Sequence, residues 1–172
     1  MFQNPNVCAC CGKPHDPLGL VVPIKLPDEI KAMGWVARKR RTWFNGDDMF
    51  VIDRERFFVY GSLKLPVREH DARLTWGVWV EVTHEAFMEI QDQMAEPGCD
   101  ALPPFEGTLA NQLRFYGTPT FGMAMTIHLR PGQRPLMKPV RVDHALSQDH
   151  HDGIDAGKVF AIRAWAEATR DF

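Results

Sequence analysis

Phe57-Phe58-Val59-Tyr60-Gly61-Ser62-Leu63-Lys64-Leu65 and, after a polar turn at Arg68 to Asp71, Leu74-Thr75-Trp76-Gly77-Val78-Trp79-Val80-Glu81-Val82 decide the fold class. Both runs alternate with a period of two, the signature of a strand with one face buried. In the first, Phe57, Val59, Gly61, Leu63 and Leu65 share a face, and Phe58, Tyr60, Ser62 and Lys64 take the other. In the second, Leu74, Trp76, Val78, Val80 and Val82 oppose Thr75, Gly77, Trp79 and Glu81. Two such runs joined by a short turn read as neighbouring strands of an antiparallel meander.

Upstream, Met49 to Asp53 leads into the first run. Leu20-Val21-Val22-Pro23-Ile24 is a proline-broken apolar run suited to an edge strand. Asp28 is placed to cap a short helix through Ile30, Met33 and Val36, with Gly34 weakening it. Downstream, Thr83 caps a helix from 84 to 95, whose Phe87, Ile90, Met94 stripe faces inward and whose Glu85, Glu89, Asp92 and Glu96 face water. Phe105 to Tyr116 fits a helical stripe or an irregular strand equally well.

Alternation returns from Thr120 to Leu129. After the Arg130 to Pro135 turn, Leu136 to Val142 reads as an edge strand tolerant of Pro139. Asp143-His144 opens a polar loop, and Asp155 to Arg170 carries the Val159, Ile162, Trp165 stripe of an amphipathic helix. The expected fold is α+β: a central antiparallel sheet of about five strands, two main flanking helices and an N-terminal Cys/His knuckle.

The 172 residues form one domain, 1–172, with residues 1–18 as a metal-stabilised segment. Hydrophobic residues at 45% and charged residues at 24% match a globular chain and exclude wholesale disorder. The formal net charge of -2 argues against a dedicated nucleic-acid binder. The dense run Arg38-Lys39-Arg40-Arg41 reads first as a solvated surface and second as a nucleic-acid contact. Met1 to Pro5 has no basic leader ahead of an apolar run, and no later segment approaches the ~18 apolar residues of a membrane span. A cytoplasmic chain without a membrane partner is therefore expected, and in that compartment cysteines are thiols or metal ligands.

Cys8-x-x-Cys11-Gly12-x-x-His15 offers two thiolates and an imidazole at zinc-ligand spacing. Cys10 is too close to Cys11 to ligate with it, so a fourth ligand comes from a distant histidine, from Cys99 or from water. Asp149-His150-His151-Asp152 resembles a metal site by composition, yet adjacent side chains on an extended loop point apart. The sequence has no Gly-x-Ser-x-Gly, no phosphate-binding Gly-x-x-x-x-Gly-Lys and no Gly-x-Gly-x-x-Gly after a strand, which disfavours the corresponding enzyme classes. The second sheet face, with Tyr60, Ser62, Trp79, Glu81, Thr126 and His128, mixes group types as binding surfaces do.

Taken together, the Cys8 to His15 motif, Asp48 with Val51-Ile52-Asp53, Phe57-Phe58-Val59 running to Leu65-Pro66-Val67, Trp76-Gly77-Val78-Trp79, the Arg130 to Pro135 turn and Asp143-His144 resemble the bacterial domain-of-unknown-function family 2199. That resemblance implies that Cys8, Cys11, His15, Arg134 and His144 belong to the family pattern, and it carries no catalytic assignment. The chain departs from the pattern at Phe50, Tyr60 and Ala145, where cysteine, arginine and proline are expected. The resulting expectation is a non-catalytic binding or regulatory module with a structural zinc held by Cys8, Cys11 and His15. Its partner, a protein, meets Trp79, His128, Arg130, Arg134 and His144. A metal-dependent hydrolase with an open zinc site is the alternative, and a nucleic-acid contact through Arg38 to Arg41 a third.

Overall fold

The computed structural model describes residues 18–95, 103–140 and 142–169. Its first half contains β1 (Leu20–Pro23), α1 (Asp28–Ala32), α2 (Trp35–Arg41), β2 (Thr42–Phe44), β3 (Met49–Ile52), β4 (Arg56–Pro66) and β5 (Arg73–Val82). There follow α3 (His84–Ala95), β6 (Phe105–Leu109), a 3-10 turn at Arg114–Tyr116, β7 (Ala124–Arg130), β8 (Gln133–Pro139), α4 (Ala145–Asp152) and α5 (Ala156–Thr169). The class is α+β, and no described helix is long and apolar enough to cross a membrane.

The expected central antiparallel sheet of about five strands is instead a closed five-stranded barrel with three further strands added. Strands β4 to β8 each pair antiparallel with the next, and β8 then returns to β4, with Ser62 opposite Leu136 and Leu63 opposite Met137. Successive strands of a meander alternate in direction, so the first and fifth run the same way. The closing pair is accordingly parallel. The strand from Leu136, expected at an edge because it contains Pro139, therefore seals the seam. Gly61 lets it approach: a Cβ there would stand 2.7 Å from the Pro135 carbonyl oxygen and would also meet the Met137 side chain.

β4 and β5 are long enough to serve two sheets. β4 carries β3 on its first half, with Met49 opposite Val59, and β8 on its second, whereas β5 carries β1, parallel, on its first half, with Leu20 opposite Leu74, and β6 on its second. β2 adds outside β3. One face of this array is the main core: Leu63, Leu65, Trp76, Val80, Ile127 and Met137 are all fully buried. α3 contributes Phe87 and Ile90, α4 contributes Leu146, and α5 contributes Val159 and Ile162. Each such side chain stabilises by about 1.5–3 kcal/mol relative to exposure.

The helices expected at α3 and α5 are present, and the Thr83 hydroxyl accepts from Ala86 N at 3.2 Å, but Met94, expected on the inward stripe with Phe87 and Ile90, is exposed near the end of α3. Asp28 is the first residue of α1 and not its cap, and an extended Gly34 splits the expected helix into α1 and α2. The ambiguous 105–116 stretch resolves into β6 and the 3-10 turn. Asp149 to Asp152, expected in a loop, forms the second half of α4. The N-terminal knuckle, with Cys8, Cys11 and His15, lies outside the described residues, as does Cys99.

Candidate functional site

The outer face of β4 and β5 divides into two halves with opposite characters. On the first, Phe58, Tyr60 and Trp79 meet Phe50 and Ile52 of β3 in a second core, which Ile30 of α1 covers. Trp79 is 2% exposed. Its indole Nε1 donates to Ile24 O at 3.1 Å, and its backbone N–H donates to the buried Asn111 Oδ1 at 2.8 Å. A ring fixed on both sides in this way holds α1 and the β1–α1 connection to the barrel.

The second half stays open to solvent, and its side chains are cationic. Strand parity brings Lys64 of β4, Arg73 of β5, Lys138 of β8, and His128 and Arg130 of β7 to the outside. Lys64 sits opposite Thr75, Lys138 opposite Thr126, and His128 opposite Leu136. These groups feel one another. Partial burial lowers the Lys64 ammonium's pKa, and the charges of Arg130 and Arg73 lower it further. Burial likewise lowers His128, assisted by Lys138. His150 of α4 joins the cluster. Burial depresses it, its donation from Nδ1 to Lys64 O at 2.9 Å opposes that, and the charges of His151 and Lys138 add to the depression.

Among the described residues Lys64, Arg73, Arg130 and Lys138 have no carboxylate partner. Arg130 turns back on its own hairpin, donating to Arg134 O at 2.6 and 3.2 Å and to Gln133 Oε1 at 2.9 Å. On the adjoining strand β6, the acid Glu106 stands opposite Thr126. A like-charged surface of this kind raises the local positive potential and favours an anionic partner.

Arg134 marks the boundary between the two halves. Its Nε donates to both Asp48 carboxylate oxygens at 3.0 Å, and its guanidinium lies 4.9 Å over the Tyr60 ring. The hydrogen bond to Asp48 raises the Arg134 pKa, with partial burial opposing and the Asp48 charge adding. His144 lies elsewhere, at the start of α4, where Nδ1 accepts from Leu146 N at 3.0 Å. An accepting Nδ1 leaves the proton on Nε2, which therefore donates to Thr118 Oγ1 at 2.9 Å. Of the five surface residues expected from sequence, His128, Arg130 and Arg134 come together, Trp79 is buried, and His144 is a helix cap.

A family model described as an uncharacterised protein conserved in bacteria (DUF2199) matches residues 7–154. The chain belongs to this family. No curated protein and no solved structure matches it. The DUF2199 span contains the whole barrel, the cationic half-face and α4, while α5 follows it.

Other charged groups of this DUF2199 member have internal uses. Arg41 forks onto Asp53 at 2.9 and 3.0 Å, and Arg38 donates to Ile30 O at 3.0 Å. Half of the Arg38 to Arg41 run is thus engaged within the fold. Arg56 bridges Glu81 at 2.6 and 2.7 Å and also Glu29, tying α1 to the barrel. The Tyr116 hydroxyl donates to Asp149 at 2.9 Å beside Lys158 Nζ at 2.7 Å, so the 3-10 turn, α4 and α5 meet at one half-buried contact. Burial raises the Tyr116 pKa far above its ordinary value, and the Asp149 charge adds to it. His150 and His151 diverge, to Lys64 O and to Ser147 O at 2.7 Å. Among the described residues no group of three or more His, Cys, Asp or Glu is placed to hold a metal ion.

Sequence reasoning named Lys64 as an outward residue but did not find the cluster. Arg73 and Lys138 share its outward parity, yet their charges sum only once β8 is known to lie beside β4.

Proposed function

We propose that this protein is a non-catalytic binding module that receives an acidic protein surface on the open half of its outer barrel face. The carrying observation is the set of four unpaired lysines and arginines, Lys64, Arg73, Arg130 and Lys138, converging with His128 and His150. Among the described residues no Phe, Tyr or Trp ring is exposed in that half, since Tyr60 lies beneath Arg134, so an unpaired base finds no broad stacking platform there. Acidic side chains need none. Zinc held by Cys8, Cys11 and His15 is part of the proposal, as a structural clip for the N-terminal segment, and the ligand spacing supports it.

The test is titration of the full chain with a fluorescent oligoglutamate. Saturable binding is expected, with the affinity falling about tenfold or more when Lys64→Glu and Lys138→Glu are combined. Binding that is absent, or indifferent to that pair, refutes the surface. Metal analysis and chelation address the clip. Roughly one zinc per chain, with cooperative loss of folded signal on chelation, is expected. A folded chain that loses a hydrolytic turnover instead would support the open-site hydrolase.

A further inference from the structure

A separate cleft of about 710 Å3 opens where the β1–α1 connection, α1, α2, the segment after β6 and the end of α5 converge. Four cations line it: Lys25, Lys31, Arg38 and Arg114. None of the four has an ion-pair partner among the described residues. Arg38 is anchored by a neutral acceptor, Ile30 O, and its Nε is enclosed without any acceptor. Among the described residues the one carboxylate in the lining, Asp28, is already committed: it accepts from Gln112 N at 2.6 Å and from Asn111 Nδ2 at 3.3 Å. Its charge is oriented toward the backbone of the wall and supplies no salt bridge to the four cations.

The cleft also has an apolar side. Leu113 is fully buried, and the half-buried Trp165 ring stands edge-on to Trp76 at 5.9 Å and to Phe115 at 6.0 Å, which holds it in place. A pre-set indole beside several uncompensated cations suits a ligand with a ring at one end and more than one negative charge at the other. The volume falls in the ~300–1,000 Å3 range of small-molecule sites. We infer that the cleft binds a small organic phosphate of nucleoside-diphosphate size, the phosphates against Lys25, Lys31, Arg38 and Arg114 and the ring against Trp165. Among the described residues the lining has no cysteine, histidine or serine, and the Thr169 hydroxyl donates to Trp165 O. This inference stands independently of the acidic partner proposed for the barrel face, because the two sites share no residue.

Calorimetric titration of the full chain with adenosine diphosphate and with inorganic pyrophosphate tests it. Both are expected to bind, the nucleotide about tenfold or more tightly, since only it reaches Trp165. Lys31 and Arg114 are exposed, so Lys31→Ala combined with Arg114→Ala leaves the fold intact and weakens both ligands at least about tenfold. Lys64→Glu with Lys138→Glu, on the barrel face, leaves both affinities unchanged. Absence of binding by either probe, equal affinity for the two, or insensitivity to the Lys31 and Arg114 pair would each overturn the assignment.

Discussion

Gly61 is where the closed barrel depends on a single missing atom. Pro135 O and the Met137 side chain occupy the volume into which a Cβ would project, and they belong to the strand that seals the seam. Gly61→Ala is expected to cost about 1–3 kcal/mol through overpacking, measured as a lower denaturant midpoint. An unchanged midpoint would mean that β8 does not close on β4 as described. His150 makes a second demand on the same strand. Its folded pKa lies below the unfolded value of about 6.5 because burial and the charges of His151 and Lys138 outweigh its bond to Lys64 O. Above that pH both states are neutral and no penalty arises. As the pH falls from about 6.5 toward the folded value, the unfolded chain takes up the proton first, and stability declines until the folded site protonates as well. His150→Gln keeps a donor for Lys64 O and removes this titration. Denaturation at pH 7.5 and 5.5 is therefore expected to show a smaller acid loss in the variant than in the native chain.

Elements whose signal is local were read correctly from the sequence, and those decided by distant partners were not. β4 and β5 announce themselves through uninterrupted alternation, and α3 and α5 through 3.6-residue stripes with water on the opposite side. β8 carries the same alternation, but Pro139 argues for an edge, and only the parallel return to Ser62 and Leu63 reveals otherwise. α4 was hidden by its composition. The cap that starts it is a histidine, outside the usual Ser, Thr, Asp and Asn, and its polar second half reads as a loop. Helix α1 was foreseen near Asp28, yet its function as the lid on the second core was not, because Phe58, Tyr60 and Trp79 looked like a surface while nothing in the sequence showed what covered them. The candidate site suffered the same limit: its charges lie on four elements. Ile30 is the fully buried residue through which α1 holds that lid. Ile30→Ala is expected to cost about 2–5 kcal/mol in chemical denaturation, as for an ordinary core truncation. A loss below about 1 kcal/mol would show that α1 covers the face only loosely.

Across the molecule, charge is segregated, and the formal net charge of -2 conceals it. Acids gather on the water-facing side of α3 and in the ion pairs that fasten α1, α2 and α5, while bases without a carboxylate partner among the described residues gather on the barrel face and in the cleft. A fold selected for stability alone gains by dispersing like charges, since neighbours of one sign on adjacent strands are destabilising by some tenths of a kcal/mol. Lys64 bears that cost directly: it is half-buried, and Arg73 and Arg130 both oppose its charge. An anionic partner of the kind proposed would supply the compensation on binding. Lys64→Gln separates the two roles. Removing the charge relieves the repulsion and part of the desolvation, so the unbound chain is expected to unfold at an equal or higher denaturant concentration, by up to about 1 kcal/mol. The same change is expected to weaken oligoglutamate binding about threefold to tenfold and to flatten its dependence on salt, because one fewer cation is engaged. Stability and binding thus move in opposite directions at this residue. If Lys64→Gln lowers stability and leaves binding intact, the barrel face is structural and the proposed partner surface lies elsewhere.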